Sequence, residues 1–212
     1  AGPWTDIACA TSATLLLNHS ASTFYRCNVT CGGNTGSSTP VQVALTPASA
    51  CYCIPATSDC TDSDVITRVR LSTLDNASAC SPAGYANYTL SVAAPIVYSG
   101  AANPIIVTTP TIWSEAVGVW IDYDRNGQFD AAEFTNVGTN AGNGGNIANN
   151  IVIPASALTG VTRMRVRVRF GTTLFTAANA CLGYAFGETE DYNVNIQPCV
   201  TGVFTTPPAS TS

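Results

Sequence analysis

Twelve consecutive residues, "DYDRNGQFDAAE" at 122–133, have the clearest capacity for chemistry. In a chain that is only 10% charged, they hold Asp122, Asp124, Asn126, Gln128, Asp130 and Glu133. Their spacing meets the calcium-loop pattern D-x-[DN]-x-[DN]-G-x5-E at every constrained position. Alternation sends the side-chain oxygens of Asp122, Asp124 and Asn126 toward one point, and Gly127 permits a sharp turn. Gln128 offers a backbone carbonyl, Asp130 reaches directly or through water, and Glu133 closes the site with two oxygens. An all-oxygen donor set suits a hard cation, so calcium is the expected cofactor. The competing reading is a polar β-turn with an Asx cap.

The elements that must hold this loop are strands. Immediately before it stands "VGVWI", where Val117, Val119 and Ile121 alternate with Gly118 and Trp120, so this is no helix-loop-helix sensor. An ion here would fix a loop on a rigid sheet by removing repulsion between gathered carboxylates. Further short runs rich in Val, Ile, Thr and Tyr lie at 65–72, 87–94, 104–110, 116–123, 150–154, 162–170 and 191–197. Gly, Pro, Asn and Ser separate them, as in a sandwich. "DAAEF" (130–134) has room for one helical turn, and "TNAGNGGNIANN" (139–150) reads as a polar surface connection. The expected fold is an all-β sandwich of Ig-like or jelly-roll type, spanning 51–198. Residues 1–50 form a small disulfide-rich N-terminal β extension with strands at 13–18 and 41–47. Residues 199–212 form an extended tail rich in Pro, Ser and Thr.

The net charge is −5, all eight Lys/Arg positions are Arg, and no basic run is present, which argues against nucleic acid as a partner. No stretch has the apolar length of a membrane-spanning helix. Nine cysteines accompany a single histidine, His19, so disulfides outrank zinc. Their number places the chain in an oxidising setting: secreted, periplasmic or cell-surface. The start "AGPWTDIACA" is the kind left by signal cleavage or by editing. Nine is odd, so at least one thiol is free or pairs with another chain.

Several blocks together resemble a known family. "VGVWI" with the acidic loop, then "VIPASALTGVTRMRVRVRF", then "GETEDYNVNI" are similar to the GEVED domain. The name motif stands as Gly187-Glu188-Thr189-Glu190-Asp191-Tyr192, with Thr in place of Val. "CYCIP" (51–55) and "YANYT" (85–89) resemble the family's opening and second strand blocks, so the resemblance covers roughly 51–197. It implies a noncatalytic β-sandwich module of large secreted and surface proteins of bacteria, adhesive or accessory to an enzyme. This chain departs by being nearly a lone domain with extra cysteines at both ends. Cys53 and Cys181 flank the GEVED-like region and Cys60 and Cys80 bracket a short segment, which makes them the two candidate bridges. Cys9, Cys27, Cys31, Cys51 and Cys199 remain as intermolecular or unpaired candidates.

Other groups are weaker signals. Arg163, Arg165, Arg167 and Arg169 alternate with Met164, Val166, Val168 and Phe170, which puts four guanidiniums on one face. They are either an anion- or glycan-binding stripe or, as favoured, a solvated sheet face paired with Glu188 and Glu190. Glu188, Glu190 and Asp191 could serve a hydrolase or support the calcium loop from behind. With one His, no Ser/His/Asp or Cys/His arrangement is available, so no enzyme is expected. Asn18, Asn28, Asn76 and Asn87 head N-x-[ST] triplets, weak glycosylation candidates at a frequency chance explains.

The expected function is a non-enzymatic, secreted, calcium-stabilised structural or adhesive protein. It would be a self-assembling subunit of an extracellular filament or surface layer. "ATLLLN" (13–18) or "VTGVFTT" (200–206) would complete a neighbour's sheet. The alternative is a glycan-binding accessory module using Trp113 or Trp120. A spacer domain that neither assembles nor binds sugar is the third possibility.

Overall fold

A computed structural model describes residues 3–7, 10–12, 14, 17, 21–44, 52–140 and 145–199, and the statements below concern those. The chain divides into two compact units, Ala1–Pro47 and Ala48–Ser212. The described residues are all-β, with only three short 3-10 turns beside the strands. No described helix is long and apolar enough to cross a membrane.

In the first unit, β1 (Thr23–Tyr25) pairs antiparallel with β4 (Val41–Val43). β2 (Asn28–Cys31) and β3 (Asn34–Ser37) form a hairpin. Its two-residue turn is Gly32-Gly33, both at positive φ, the conformation that matches the twist of the flanking strands. None of the unit's described residues is buried. The expected strand at 41–47 is limited to β4 among described residues, and the one at 13–18 falls mostly outside them.

The second unit contains β5 (Arg68–Leu71), β6 (Leu74–Ala77), β7 (Tyr85–Asn87), β8 (Ile96–Ser99), β9 (Ala102–Thr109), β10 (Glu115–Ile121), β11 (Phe134–Asn140), β12 (Gly145–Val152), β13 (Gly160–Phe170) and β14 (Gly187–Pro198). One sheet runs β12-β9-β5-β6 and the other β11-β10-β13-β14-β7, with β8 also on β14. Between them lies one apolar core. Val69, Leu71, Ile105, Val107, Ile147 and Ile151 come from the first sheet; Val117, Val119, Ile121, Met164, Val166, Val168, Val194 and Ile196 come from the second. The two layers over this shared core make a β-sandwich.

Two boundaries differ from the sequence reading. The strand expected at 87–94 stops at Asn87, because Asn87 Oδ1 accepts from the Thr89 amide (3.1 Å) and hydroxyl (2.7 Å) and turns the backbone. Strand pairing with β14 resumes at Ile96. The polar connection expected at 139–150 is instead occupied by β12 from Gly145 onward. Ile147 and Ile151 drop into the core there, while Asn146, Asn149 and Asn150 stay exposed.

β10 is buried along its whole length, on both faces. Its second face carries Ala116 and Trp120, packed with Phe175 and Ala180 from the segment between β13 and β14. A Cβ at Gly118 would press into the rings of Trp120 and Phe175, so only glycine fits this contact. That segment forms a third layer over the second sheet, and the arginines of β13 lie beneath it.

Candidate metal centre

β10 ends at Ile121 and delivers Asp122, wholly buried, into the acidic loop. The entry is clamped to β13. The Asp122 amide donates to Arg163 O (3.1 Å), and the Thr162 hydroxyl donates to Asp122 O (2.6 Å). The loop then turns through Arg125 and Gly127, both at positive φ. It closes with the single turn Ala131–Glu133, where the Asp130 amide donates to Glu133 Oε2 (2.8 Å).

This geometry gathers three of the six expected ligands. One carboxylate oxygen each from Asp122, Asp124 and Glu133 lies within 4.8 Å of the others. Asn126 and Asp130 form a rim: Asn126 Nδ2 donates to Asp130 (2.9 Å) and to Asp124 (3.2 Å). Gln128 is exposed, and its amide donates to Asn126 Oδ1 (2.7 Å).

The carboxylates meet only neutral protein donors. Asp122 accepts from the amides of Asn126 (3.2 Å) and Gly127 (3.0 Å) and from the Tyr52 phenol (2.5 Å). Glu133 Oε1 accepts from the Tyr123 amide (2.5 Å). The ion pairs among described residues are Arg68–Asp75, Arg163–Asp191 and Arg165–Asp191, and none reaches a loop acid. Burial pushes the Glu133 carboxyl up; its backbone hydrogen bonds pull the other way, and the Asp122 charge pushes it up again. Burial and then the bond to Asp122 push the Tyr52 phenol up, so it stays a donor. A cluster of oxygens short of positive charge fits a hard divalent cation.

Behind the loop stands a layer of interleaved arginines and aromatic rings. Arg163 lies over Tyr52 (4.7 Å), Arg165 over Phe129 of the loop itself (4.9 Å), and Arg167 and Arg169 over Tyr184 (5.1 and 4.9 Å). This corrects the solvated stripe. Arg165 and Arg167 are 0% and 1% exposed. Their donors are used internally: Arg165 on Asp191, Ala180 O and Cys53 O, and Arg167 on Thr189 and the carbonyls of Asn179 and Leu182. Burial lowers Arg167 to about 10. An external anion or glycan therefore has no access to these two guanidiniums.

The acids expected to pair with the stripe face the other way. Along β14, Glu188 and Glu190 share the core-facing parity of Val194 and Ile196, whereas Asp191 sits opposite Arg165. Glu188 accepts from the amides of Ile66 (2.9 Å) and Ser81 (2.8 Å), and Glu190 from the Tyr192 phenol (2.6 Å). Neither is bonded to the calcium loop. Asp191 is linked to it indirectly, through Arg163 (3.0 Å) and the ring of Tyr52. Gly187 completes the motif at φ +143°, where a Cβ would run into the Val168 carbonyl oxygen.

Tyr52, Phe129 and the anchoring role of Asp191 escaped the sequence reading. The unbroken apolar run of β10 was the available signal, since a strand buried on both faces needs a cover on each.

The remaining candidates are scattered. Cys53–Cys181 and Cys60–Cys80 are bridged, with Cα separations of 5.9 and 5.3 Å. Cys27, Cys31 and Cys199 are exposed free thiols, and Cys9 and Cys51 lie outside the described residues. Of the glycosylation candidates, Asn76 donates to the Tyr192 phenol (2.9 Å) and is half-buried. Asn28 and Asn87 are exposed, and Asn18 is outside the described residues. Trp120 is wholly buried and donates to Ala177 O (3.0 Å), which removes it as a sugar platform.

Comparison with protein families matches residues 116–195 to the GEVED domain. The match spans the acidic loop and the strands that hold it. No curated protein matches the chain.

Proposed function

Since the chain carries a GEVED domain over residues 116–195, we propose that it is a non-enzymatic, calcium-stabilised sandwich of Ig-like or jelly-roll type. Its job is structural or adhesive, outside the cell. The convergence of Asp122, Asp124 and Glu133 within 4.8 Å carries this reading. Calcium would be held by these three carboxylates, with Asn126, Asp130 and the Gln128 carbonyl completing the shell. The ion supplies positive charge, locks the β10–β11 connection and performs no reaction. Extracellular calcium is abundant enough for a site with Kd on the order of 10⁻⁴ to 10⁻³ M. Two disulfides suit the same compartment.

Assembly into a filament or surface layer draws support from the first unit. Its two-stranded pairs bury none of their described residues, and Phe24, Val29 and Val41 are more than half exposed. Isolated two-stranded β structure is marginal in water, so a partner's sheet or apolar face would stabilise it. The partner proposed is a second copy, through terminal strands.

One observation favours the glycan-binding alternative. Trp113, Phe170 and Phe186 are all partly exposed and pack edge to face, at 5.9 and 6.5 Å between centroids, as an aromatic surface.

Negative-stain imaging of native material, with and without a chelator, tests the assembly reading. Ordered fibres or sheets that loosen on chelation are expected. Single particles in both conditions would defeat it and send the question to a polysaccharide screen.

A further inference from the structure

A second pair of acids is buried away from the calcium loop. Asp64 precedes β5 and Glu115 opens β10, and they are 2% and 0% exposed. Their carboxyl groups lie within hydrogen-bonding reach of each other. The surroundings hold them there. The Trp113 indole donates to Asp62 O (2.7 Å), and the Cys60–Cys80 bridge anchors the same segment. The Glu115 amide donates to Asn140 Oδ1 (2.5 Å), whose Nδ2 donates to the Thr109 hydroxyl (2.8 Å).

The oxygens themselves are bare. Glu115 Oε1, Glu115 Oε2 and Asp64 Oδ1 are buried and have no hydrogen-bond partner. Neither residue joins any ion pair among the described residues. The neighbouring charges worsen the imbalance: Asp62 and Asp59 add negative potential at Asp64, behind the larger effect of burial. Burial and the contact with Asp64 push the Glu115 carboxyl up to about 9.

Glu188 of the same unit shows how this fold treats a buried acid without a cation: each of its oxygens accepts a backbone amide. One proton shared between Asp64 and Glu115 would make one hydrogen bond and leave other interior oxygens unsatisfied, at about 1–3 kcal/mol each. A cation satisfies them together, because carboxylate oxygens that ligate metal need no donor.

We propose that Asp64 and Glu115 form a second, interior site for a hard divalent cation of the calcium class. The two carboxylates supply up to four oxygens, and the ion ties the Asp59–Asp64 segment to the start of β10. This site is independent of the acidic loop at the far end of the same strand. β10 would then carry a cation at each end.

Equilibrium dialysis of the intact chain against calcium tests this by stoichiometry. Wild type is expected to hold two ions per chain, with each of Glu115→Gln and Glu133→Gln halving the count and the double variant holding none. Should Glu115→Gln fail to fold, Asp64→Asn takes its place, and the wild-type count stands without any variant. One ion in wild type, lost in Glu133→Gln and kept in Glu115→Gln, would overturn the second site and keep the loop site. One ion lost in Glu115→Gln and kept in Glu133→Gln would do the reverse. No bound calcium in wild type would overturn both.

Discussion

Asp191 and Asp122 are both wholly buried aspartates on neighbouring parts of one sheet, yet their charges are met differently. Asp191 receives two guanidiniums, Arg165 at 2.7 Å and Arg163 at 3.0 Å. Asp122 receives two amides and a phenol, with Asp124 and Glu133 crowding beside it. The Arg163–Tyr52 stack joins the two regions, so the difference is not one of setting. One acid is neutralised by the chain's own cations; the other has been left for a cation from outside. A carboxylate cluster is informative when the protein has arginines nearby and commits them elsewhere.

The sharpest way to break this contrast is to remove the internal cation. Arg165→Met leaves Asp191 short of its bidentate partner and orphans the Cys53 and Ala180 carbonyls. Removing one partner of a buried pair costs roughly 3–5 kcal/mol, read by urea denaturation. A loss below about 1 kcal/mol would mean the Arg layer does not anchor Asp191.

Glu190 offers a third treatment, a buried acid kept neutral by its own protonation. Burial, with a smaller push from Glu188, raises its carboxyl to about 7, against the opposing bond from Tyr192. Below about pH 4.5 both folded and unfolded states hold the proton, and stability is at its full value. As pH rises from there toward 7 the folded state binds more protons, so stability falls, by roughly 3 kcal/mol in all. Glu190→Gln is expected to flatten that slope in denaturant midpoints measured from pH 4.5 to 8. An unchanged slope would remove Glu190 as its source.

The loop should respond to calcium and the Arg layer should not. Calcium at about 100 times Kd adds about 2.7 kcal/mol to the folded state of wild type, seen as a rise in Tm that a chelator reverses. Arg165→Met is expected to lower Tm yet keep the calcium increment. Asp124→Asn is expected to keep the apo Tm and shrink the increment. The smallest effect belongs to Trp113→Ala at the aromatic surface, within about 1 kcal/mol. Loss of polysaccharide binding in that variant would instead strengthen the glycan alternative.

The parts of the fold legible in the sequence were those governed by local period. β10, β13 and β14 announce themselves through alternating or continuous apolar residues, and the spacing of the loop acids brought three of them together as written. What escaped depends on contacts between distant segments. β7 and β8 are three- and four-residue strands that exist only because β14 offers them an edge. The Arg face of β13 looks solvated by alternation alone, and only the cover supplied by Phe175, Ala180 and Tyr184 makes it interior. Asp64 and Glu115 are 51 positions apart, and nothing local in either segment signals that they meet.

The central claim is that the acidic loop is a calcium site, and isothermal titration of calcium into chelator-stripped protein tests it most directly. The account predicts saturable binding in wild type that weakens at least tenfold in Glu133→Gln, whose circular dichroism spectrum stays that of the parent. Binding of equal strength in wild type and Glu133→Gln, or no binding to wild type at millimolar calcium, would contradict it.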